Sequence, residues 1–269
     1  MTIRAGSSAP DVELERRAAR ADRLADGTRD DAPLRFAAGL LRCQARVVRG
    51  LQAGHRVRAL VGRLDEDLER VLGILFELPH FAARYGPEAL RIEAYARAVE
   101  DEDTARTRLL VAWGGDRGTA EDYLSRAMLR PYLECLRADG LTPDRVRAPG
   151  RCPFCGGGAA LALLRGGSEG QGAARFFACA QCGLEWGSAR ILCVSCGERE
   201  PTRLPCFTSE AHHDVRLDAC ETCRRYVKTF DLTRDARPIP EVDDLASLAL
   251  DLWAGERGFT RVEPGLAGI

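Results

Sequence analysis

The chain has 269 residues and balances 39 basic against 40 acidic side chains, so its formal net charge at pH 7 is −1. Hydrophobic residues make up 45% of it and charged residues 29%, which is typical of a soluble globular protein and excludes a disordered or collagen-like chain. No stretch approaches the roughly 18 apolar residues of a membrane-spanning helix, and the first residues lack the apolar core of a secretion signal. We therefore predict a cytoplasmic protein without membrane insertion.

Helical periodicity dominates residues 31–149. Apolar side chains recur there every third or fourth position, as in the run Leu60, Leu64, Leu68, Val71, Leu72 and Leu75. The last helix is predicted from about Thr119 to Asp139, with a kink at Pro131. Residues 1–30 are rich in arginine and aspartate and predict an exposed leader. We therefore predict an all-α bundle of five to seven helices behind a leader.

Turn-forming residues at Pro149 and Gly150 mark the end of the helical pattern. Glycine then becomes frequent and short strands are expected, until a last helical pattern begins at Asp243 and Asp244. The predicted fold class is α+β and multidomain: an N-terminal all-α bundle, two tandem rubredoxin-like or zinc-ribbon-like small β domains, and a C-terminal helix. These parts are predicted to span residues 31–149, 150–190, 191–240 and 241–269.

Cysteine is the most informative residue type in this chain. Eleven cysteines are present, and eight of them form four Cys-x-x-Cys pairs: Cys152/Cys155, Cys179/Cys182, Cys193/Cys196 and Cys220/Cys223. Each member of the first two pairs lies 41 residues before a member of the last two, and Arg175 and Arg216 keep the same register. The chain therefore contains an internal tandem repeat.

The spacing within the repeat predicts one metal site per copy. Two residues between cysteines form a tight turn, or knuckle, that aims both sulfurs at one point, about 2.3 Å from a zinc ion. A unit of roughly 40 residues buries too little apolar surface to fold unaided, and a structural metal supplies the deficit. We predict two sites with four cysteine ligands each, one from the first four paired cysteines and one from the last four.

Three other roles for the paired cysteines agree less well with the sequence than two metal sites of four cysteines each. A redox-active pair belongs at a helix N-terminus, disulfides conflict with a cytoplasmic location, and iron–sulfur clusters usually show other spacings. The knuckle from Cys152 to Gly156 reads Cys-Pro-Phe-Cys-Gly, a form common to rubredoxins and zinc ribbons. Iron and zinc therefore both fit the predicted sites.

Side chains that follow the knuckles are predicted partner contacts. Glu185 and Trp186 follow the second knuckle of the first repeat, and Tyr226 and Lys228 follow that of the second. A solvated carboxylate at Glu185 and packing of Trp186 over the knuckle are the simpler alternatives. Asp251 is interpreted as a rim carboxylate paired with an arginine, with a partly buried functional carboxylate as the alternative.

Three further residues, Cys206, His212 and His213, receive no role. His212 and His213 lie in a loop of the second repeat and are interpreted as exposed side chains rather than ligands. Cys206 has no counterpart in the repeat and is interpreted as an ordinary small apolar side chain.

Several motifs together carry a resemblance to a known family. They are Cys-Pro-x-Cys-Gly and Cys-x-x-Cys-x-x-Glu-Trp in the first repeat, Arg190-x-x-Cys193-x-x-Cys196-Gly197 and Cys220-x-x-Cys-x-x-Tyr226-x-Lys228 in the second, and the closing segment from Asp243 to Arg261. Through them, residues 151–262 resemble the FdhE family, the formate dehydrogenase accessory proteins of bacteria. In the helical half, the stretch Leu129–Leu133 is similar to the same family.

The resemblance implies a cytoplasmic, non-catalytic maturation factor. Such a protein binds the catalytic subunit of a molybdenum- or tungsten-dependent formate dehydrogenase. The resemblance also implies two iron ions per chain in rubredoxin-like sites, with zinc as the alternative metal. Carried over, the ligands of the first ion are Cys152, Cys155, Cys179 and Cys182, and those of the second are Cys193, Cys196, Cys220 and Cys223.

The residues themselves predict that the protein is not an enzyme. The sequence contains no Ser-His-Asp set and no dinucleotide-binding fingerprint, and a site with four protein ligands leaves no open position on a zinc ion. Residues after Gly150 carry 16 acidic and 14 basic side chains, a poor match for phosphate contacts, so we predict no nucleic-acid binding. The alternative functions are a zinc-ribbon regulator that binds nucleic acid and a redox-regulated chaperone.

Overall fold

The protein divides into two compact units in a computed structural model. One unit is Ser7–Val146, and the other combines Met1–Gly6 with Arg147–Ile269. The structure describes residues 2–4, 8–55, 59–114, 122–166 and 172–268.

Helices make up the regular structure described in the first unit. They are α1 (Pro10–Ala25), α2 (Ala32–His55), α3 (Leu64–Leu75), α4 (Glu77–Tyr85), α5 (Glu88–Ala98), α6 (Glu102–Gly114) and α7 (Tyr123–Ala138). The predicted all-α character of this part of the chain is confirmed. Their apolar faces form the core, in which Leu41, Leu68 and Leu133 are almost fully buried.

Helix α1 departs from the exposed leader predicted for residues 1–30. Its side chains Leu14, Ala18, Ala21 and Ala25 are buried, and the helix packs along α2. These residues recur at helical spacing between the charged ones, so they form one apolar face of small side chains. The charged composition of the segment conceals that face, because arginine and aspartate occupy the remaining sides of the helix.

Helix α7 is central to the first unit. Its side chains are buried without interruption from Leu124 to Leu136, and it runs through Pro131 without ending there. The predicted start at Thr119 lies outside the described residues, and the helix begins at Tyr123 with Asp122 as its N-cap.

The second unit is built on one mixed sheet. Its strands are β1 (Ile3–Arg4), β2 (Ala159–Gly166), β3 (Ala173–Cys179), β4 (Glu185–Ser188), β5 (Cys206–Ser209), β6 (His212–Cys220), β7 (Arg225–Asp231) and β8 (Thr260–Arg261). The strand order is β1-β4-β3-β2-β7-β6-β5, and β8 pairs with β7. Each repeat contributes an antiparallel ribbon, β2–β4 from the first and β5–β7 from the second.

The two ribbons share this sheet. Strand β2 pairs in parallel with β7, so that Leu161 lies opposite Lys228 and Leu163 opposite Phe230. The pairing gives β2 a neighbour on both edges and satisfies backbone groups that a separate ribbon would leave exposed. The predicted α+β fold class is confirmed, with the two metal ribbons joined side by side.

The C-terminal segment covers one face of the sheet. It contains the short helix α8 (Pro240–Asp243) and the helix α9 (Leu248–Glu256). Ala254 of α9 and Phe259 beyond it pack against Leu217 and Tyr226 of the sheet. Within the part of the chain that the structure describes, no helix has the length and apolar character needed to cross a membrane.

Candidate metal centres

All four Cys-x-x-Cys knuckles share one backbone geometry. In each, the amide of the residue after the second cysteine donates a hydrogen bond of 2.9–3.0 Å to the carbonyl of the first cysteine. The donors are Gly156, Gly183, Gly197 and Arg224, and all four have positive φ angles, between 56° and 82°. Glycine adopts this left-handed conformation without a steric penalty. Arg224 is the one non-glycine residue among the four, and its guanidinium lies 3.8 Å from the centre of the Phe259 ring.

The knuckles bring the eight cysteine sulfurs together in two groups of four. Within each group, all the sulfurs lie within 4.8 Å of one another. The shortest Sγ–Sγ distances are 3.7 Å for Cys152–Cys182, 3.5 Å for Cys155–Cys179, and 3.7 Å for both Cys193–Cys223 and Cys196–Cys220. Four sulfurs arranged tetrahedrally about 2.3 Å from one ion would be about 3.8 Å apart. The two groups therefore fit two tetrahedral metal ions, as predicted.

These distances also separate metal binding from the disulfide alternative. A disulfide requires sulfurs about 2.05 Å apart, whereas all eight cysteines are free thiols at metal-ligand separations. The two groups contain cysteine alone among the described residues.

Burial and the hydrogen bonds among the thiols shift the pKa values of cysteines in the first centre. A hydrogen bond with Cys152, aided by burial, raises the pKa of Cys155 well above its usual value, and burial does the same for Cys182. Burial also opposes ionisation of Cys179, but hydrogen bonds from the neighbouring thiols outweigh it and lower the pKa of Cys179. A bound metal cation stabilises all four cysteines as thiolates against this burial.

The two centres differ in their exposure. All four cysteines of the first centre are buried, and a Cβ atom added to Gly157 would lie 2.8 Å from the Cys179 sulfur. In the second centre, Cys196 is exposed and Cys223 is half-buried. The first centre is therefore enclosed by protein, while the second reaches the surface of its unit.

Three of the four predicted partner contacts are buried in the structure. Trp186 is 3% exposed and packs against Phe177 with ring centres 5.9 Å apart. Glu185 is half-buried and forms a two-point ion pair with Arg165, at 2.6 and 2.8 Å. The prediction that Trp186 contacts a partner is therefore wrong, because its side chain belongs to the core. Glu185 keeps partial access to solvent.

Tyr226 and Lys228 are likewise corrected from partner contacts to interior residues. Lys228 is fully buried, and its Nζ lies 3.0 Å from Asp244 Oδ1 and 2.5 Å from Asp251 Oδ2. The Tyr226 hydroxyl donates a hydrogen bond of 2.6 Å to Asp251, and Arg261 pairs with Asp244 at 2.9 Å. We call these five residues the buried ion network. It connects β7 to the C-terminal segment.

Asp251 combines both interpretations made from the sequence. It lies 3.4 Å from Arg261, as a carboxylate paired with an arginine, but it is 6% exposed rather than at a rim. One sequence signal could have revealed the network. Lys228 is the single lysine of the chain. Side chains two positions apart on a strand share a face, so Lys228 lies on the same face as Tyr226 and Phe230.

The remaining candidates belong to neither group of four cysteines. Cys206 is exposed on the edge strand β5, and it belongs to neither group of sulfurs. His213 is exposed and His212 is half-buried, with a pKa lowered by burial. Neither histidine is among the described metal-binding groups.

The fold and the two centres define a class of protein in which a helical unit accompanies a double four-cysteine ribbon. A family model described as "FdhE, C-terminal domain" matches residues 191–266. "Protein FdhE homolog" of Aquifex aeolicus is 36% identical over 209 residues, which cover 76% of this chain and 72% of that protein. The chain therefore belongs to the FdhE family.

Two further comparisons agree over almost the whole chain. "Protein FdhE homolog" of Pseudomonas putida is 29% identical over 285 residues, covering 94% of this chain and 86% of that protein. The crystal structure of the FdhE protein from Pseudomonas aeruginosa superposes with a TM-score of 0.70 at 22% identity, covering 98% of this chain and 97% of that one. The fold described above is thus shared with an experimentally determined structure.

Proposed function

We propose that this protein is an accessory factor that binds the catalytic subunit of a molybdenum- or tungsten-dependent formate dehydrogenase during its maturation in the cytoplasm. Membership of the FdhE family is the observation that carries this proposal. The factor catalyses no reaction itself. It acts by binding and releasing its client.

Two closed metal centres support a binding role. Each centre offers four cysteine ligands, which complete a tetrahedral coordination shell and leave no position for a substrate. Bound iron, or zinc as the alternative, would supply a structural crosslink between two knuckles. The chain's own contribution is to hold the four knuckle tips in fixed positions on one sheet.

The second metal centre is the proposed docking site for the client. Its knuckle tips are exposed at Ser195 and Glu221, and its ligand Cys196 reaches the surface. The first centre is buried and offers no such surface. The proposal therefore places the contact on the second repeat, the same part of the chain that the family model matches.

A capture experiment tests this proposal. The tagged protein is used to recover the formate dehydrogenase catalytic subunit from native lysate, and metal content is measured in the same sample. We expect Cys193→Ser to abolish both recovery and cellular formate dehydrogenase activity, because it opens the second centre. Glu221→Arg should reduce recovery while both metals remain bound. The matched control Glu210→Arg makes the same charge change at an exposed turn and should behave like the unchanged protein.

Two results would contradict the proposal. One is normal formate-dependent dye reduction in a strain that lacks the gene. The other is equal recovery of the catalytic subunit by the Glu221→Arg and Glu210→Arg variants, which would remove the second centre as the docking site. The nucleic-acid alternative predicts instead a gel shift that weakens steeply with salt.

A further inference from the structure

A cavity of about 150 Å³ lies beside the second metal centre. It is lined by two metal ligands, Cys193 and Cys220, and by the chain segment around Leu192 that leads into the third knuckle. Its volume has room for several water molecules, and so for a small polyatomic ion.

The cavity is lined by an excess of positive charge. Four arginines contribute to its wall, Arg175, Arg190, Arg216 and Arg225, against a single carboxylate, Asp218, among the described lining residues. A divalent metal with four thiolates adds two negative charges nearby. The lining remains positive even after that contribution. The arginines therefore exceed what the metal centre needs for charge balance.

Strand alternation places three of these charges, Arg175, Arg216 and Asp218, on one face of the sheet. Along β6, Arg216 and Asp218 alternate with Leu217 and Ala219, which pack in the cluster with the C-terminal helix. Arg175 reaches the same face from β3 and donates a hydrogen bond of 3.1 Å to Asp218. Arg175 and Arg216 are equivalent positions of the tandem repeat, so the shared sheet brings one arginine from each copy to the same cavity.

Two of these arginines retain unused hydrogen-bond donors. Arg175 is 5% exposed; its Nη1 donates to the Leu192 carbonyl at 2.9 Å, but its Nε has no partner among the described residues. A buried donor without an acceptor is unfavourable, because it has lost its hydrogen bonds to water. Arg225, half-buried at the start of β7, forms no side-chain ion pair within the described part of the chain.

We propose that this cavity binds a small oxyanion of about phosphate size. Guanidinium groups present paired N–H donors that match the oxygens of such an anion, and a partly enclosed site strengthens the interaction. The anion would complete the hydrogen bonding of Arg175 and offset the excess positive charge. This inference does not depend on the formate dehydrogenase role.

Inorganic phosphate is the probe for the first test. Binding to the metal-loaded full-length protein is measured by calorimetry and by the shift of the melting temperature, with chloride at equal ionic strength as the reference. We expect saturable binding and a higher melting temperature with phosphate. Acetate in a parallel titration shows whether a carboxylate also fits. Equal effects of phosphate, acetate and chloride would overturn the proposal. Metal content is measured before and after each titration, so that removal of metal by phosphate is seen directly.

Variants at the cavity provide the second test. Arg225→Gln and Arg216→Gln should each weaken phosphate binding about 10-fold or more, because each removes a charged donor. Arg237→Gln is the matched control: Arg237 is exposed and paired with Asp235, much as Arg216 is paired with Asp218. If all three variants bind phosphate equally, the cavity is not the site. Two retained metal equivalents in each variant establish that the second centre is intact.

Discussion

At the scale of single residues, Lys228 is unusual because it is a fully buried lysine. Lys228 donates to the carbonyl of Asp244 and to Ser247, and it forms ion pairs with Asp244 and Asp251. Removing one partner of a buried pair leaves an uncompensated charge behind, which is far more costly than losing an exposed pair. The network thus makes the C-terminal segment dependent on one side chain of β7.

We predict that Lys228→Ala lowers the free energy of unfolding of the second unit by about 3–5 kcal/mol. The shift of the urea midpoint of the metal-loaded protein measures this loss. Arg237→Ala, which removes an exposed arginine of the same unit, should change the midpoint little. A loss below about 1 kcal/mol for Lys228→Ala would mean that the network is not a stabilising connection.

Asp122 provides a pH-dependent contribution at the start of α7. Its carboxylate accepts hydrogen bonds from the backbone amide and hydroxyl of Ser125, at 2.9 and 2.6 Å, and pairs with the buried Arg97. Burial by itself would raise the pKa of Asp122, but these hydrogen bonds outweigh it and lower the pKa. Because the folded-state pKa lies below the unfolded value of about 3.9, the stabilisation is complete above that value. It is lost as the pH falls through the lower, folded-state pKa.

We therefore predict that Asp122→Ala costs the helical unit about 1–2 kcal/mol at neutral pH. Thermal melting followed by circular dichroism over a series of pH values measures the difference. The variant and the unchanged protein should converge in acid, below the folded-state pKa of Asp122. A constant difference at all pH values would contradict the assigned role.

At the scale of the secondary-structure elements, the two pairs of knuckles have the same cysteine spacing. They differ in how far solvent reaches their cysteines. Exposed Cys196 and half-buried Cys223 open the second centre to solvent, while the first centre is enclosed. A chelator must reach the metal or wait for the site to open. The order of metal loss therefore follows from burial.

We predict that a chelator removes the two metals in two steps, the second centre first. The Cys179→Ser variant, which keeps the second centre, should release metal quickly, and Cys220→Ser, which keeps the first, should release it slowly. Metal release is followed with an indicator dye or, for iron, by the loss of the thiolate-to-iron charge-transfer absorption. Equal release rates in the two variants would show that burial does not control metal access.

Gly157 lies so close to the first metal centre that no side chain fits at its position. We predict that Gly157→Ala lowers the metal content from two equivalents to one, because the added Cβ would lie 2.8 Å from the Cys179 sulfur and 3.1 Å from Gln181 Cβ. Elemental analysis measures the content. Gly73→Ala on α3 is the control, since nothing lies within 4 Å of that Cβ, and it should retain both metals. Two retained equivalents in Gly157→Ala would contradict the predicted clash.

At the scale of the whole molecule, the two units differ in what stabilises them. The unit Ser7–Val146 has a core of helices, whereas the unit that contains the sheet also contains both metal centres. Small metal-binding ribbons depend on the ion for their folding free energy. The two units should therefore respond differently to metal removal.

We predict that complete metal removal unfolds the sheet while the helices α1–α7 persist. Far-UV circular dichroism should retain its helical signal, and amide hydrogen exchange should accelerate only in the unit that contains the sheet, Met1–Gly6 with Arg147–Ile269. Cys43, which is buried between helices outside the metal centres, should stay unreactive towards thiol reagents, because burial raises its pKa to about 11. A collapse of the helical signal would show that the first unit does not fold by itself.

The sequence by itself determined the two groups of four cysteines and the class of each half. The spacing of Cys152, Cys155 and their repeats predicts the two groups of four sulfurs, because a Cys-x-x-Cys knuckle is a local structure and the repeat fixes its partner. Helical periodicity predicts the first unit for the same reason, since the contacts between positions three and four apart are local. Composition misled only where a charged segment, α1, also carries a narrow apolar face.

Only the tertiary structure decided how the two repeats combine. The parallel pairing of β2 with β7 joins residues more than 60 positions apart in the chain, and no local pattern encodes that choice. That pairing and the C-terminal segment bury Lys228 beside Asp244 and Asp251, and the same sheet brings Arg175 to Asp218. Long-range packing decides which charges become buried and which metal centre stays open to solvent. Burial depends on what packs against the sheet rather than on neighbours in the sequence.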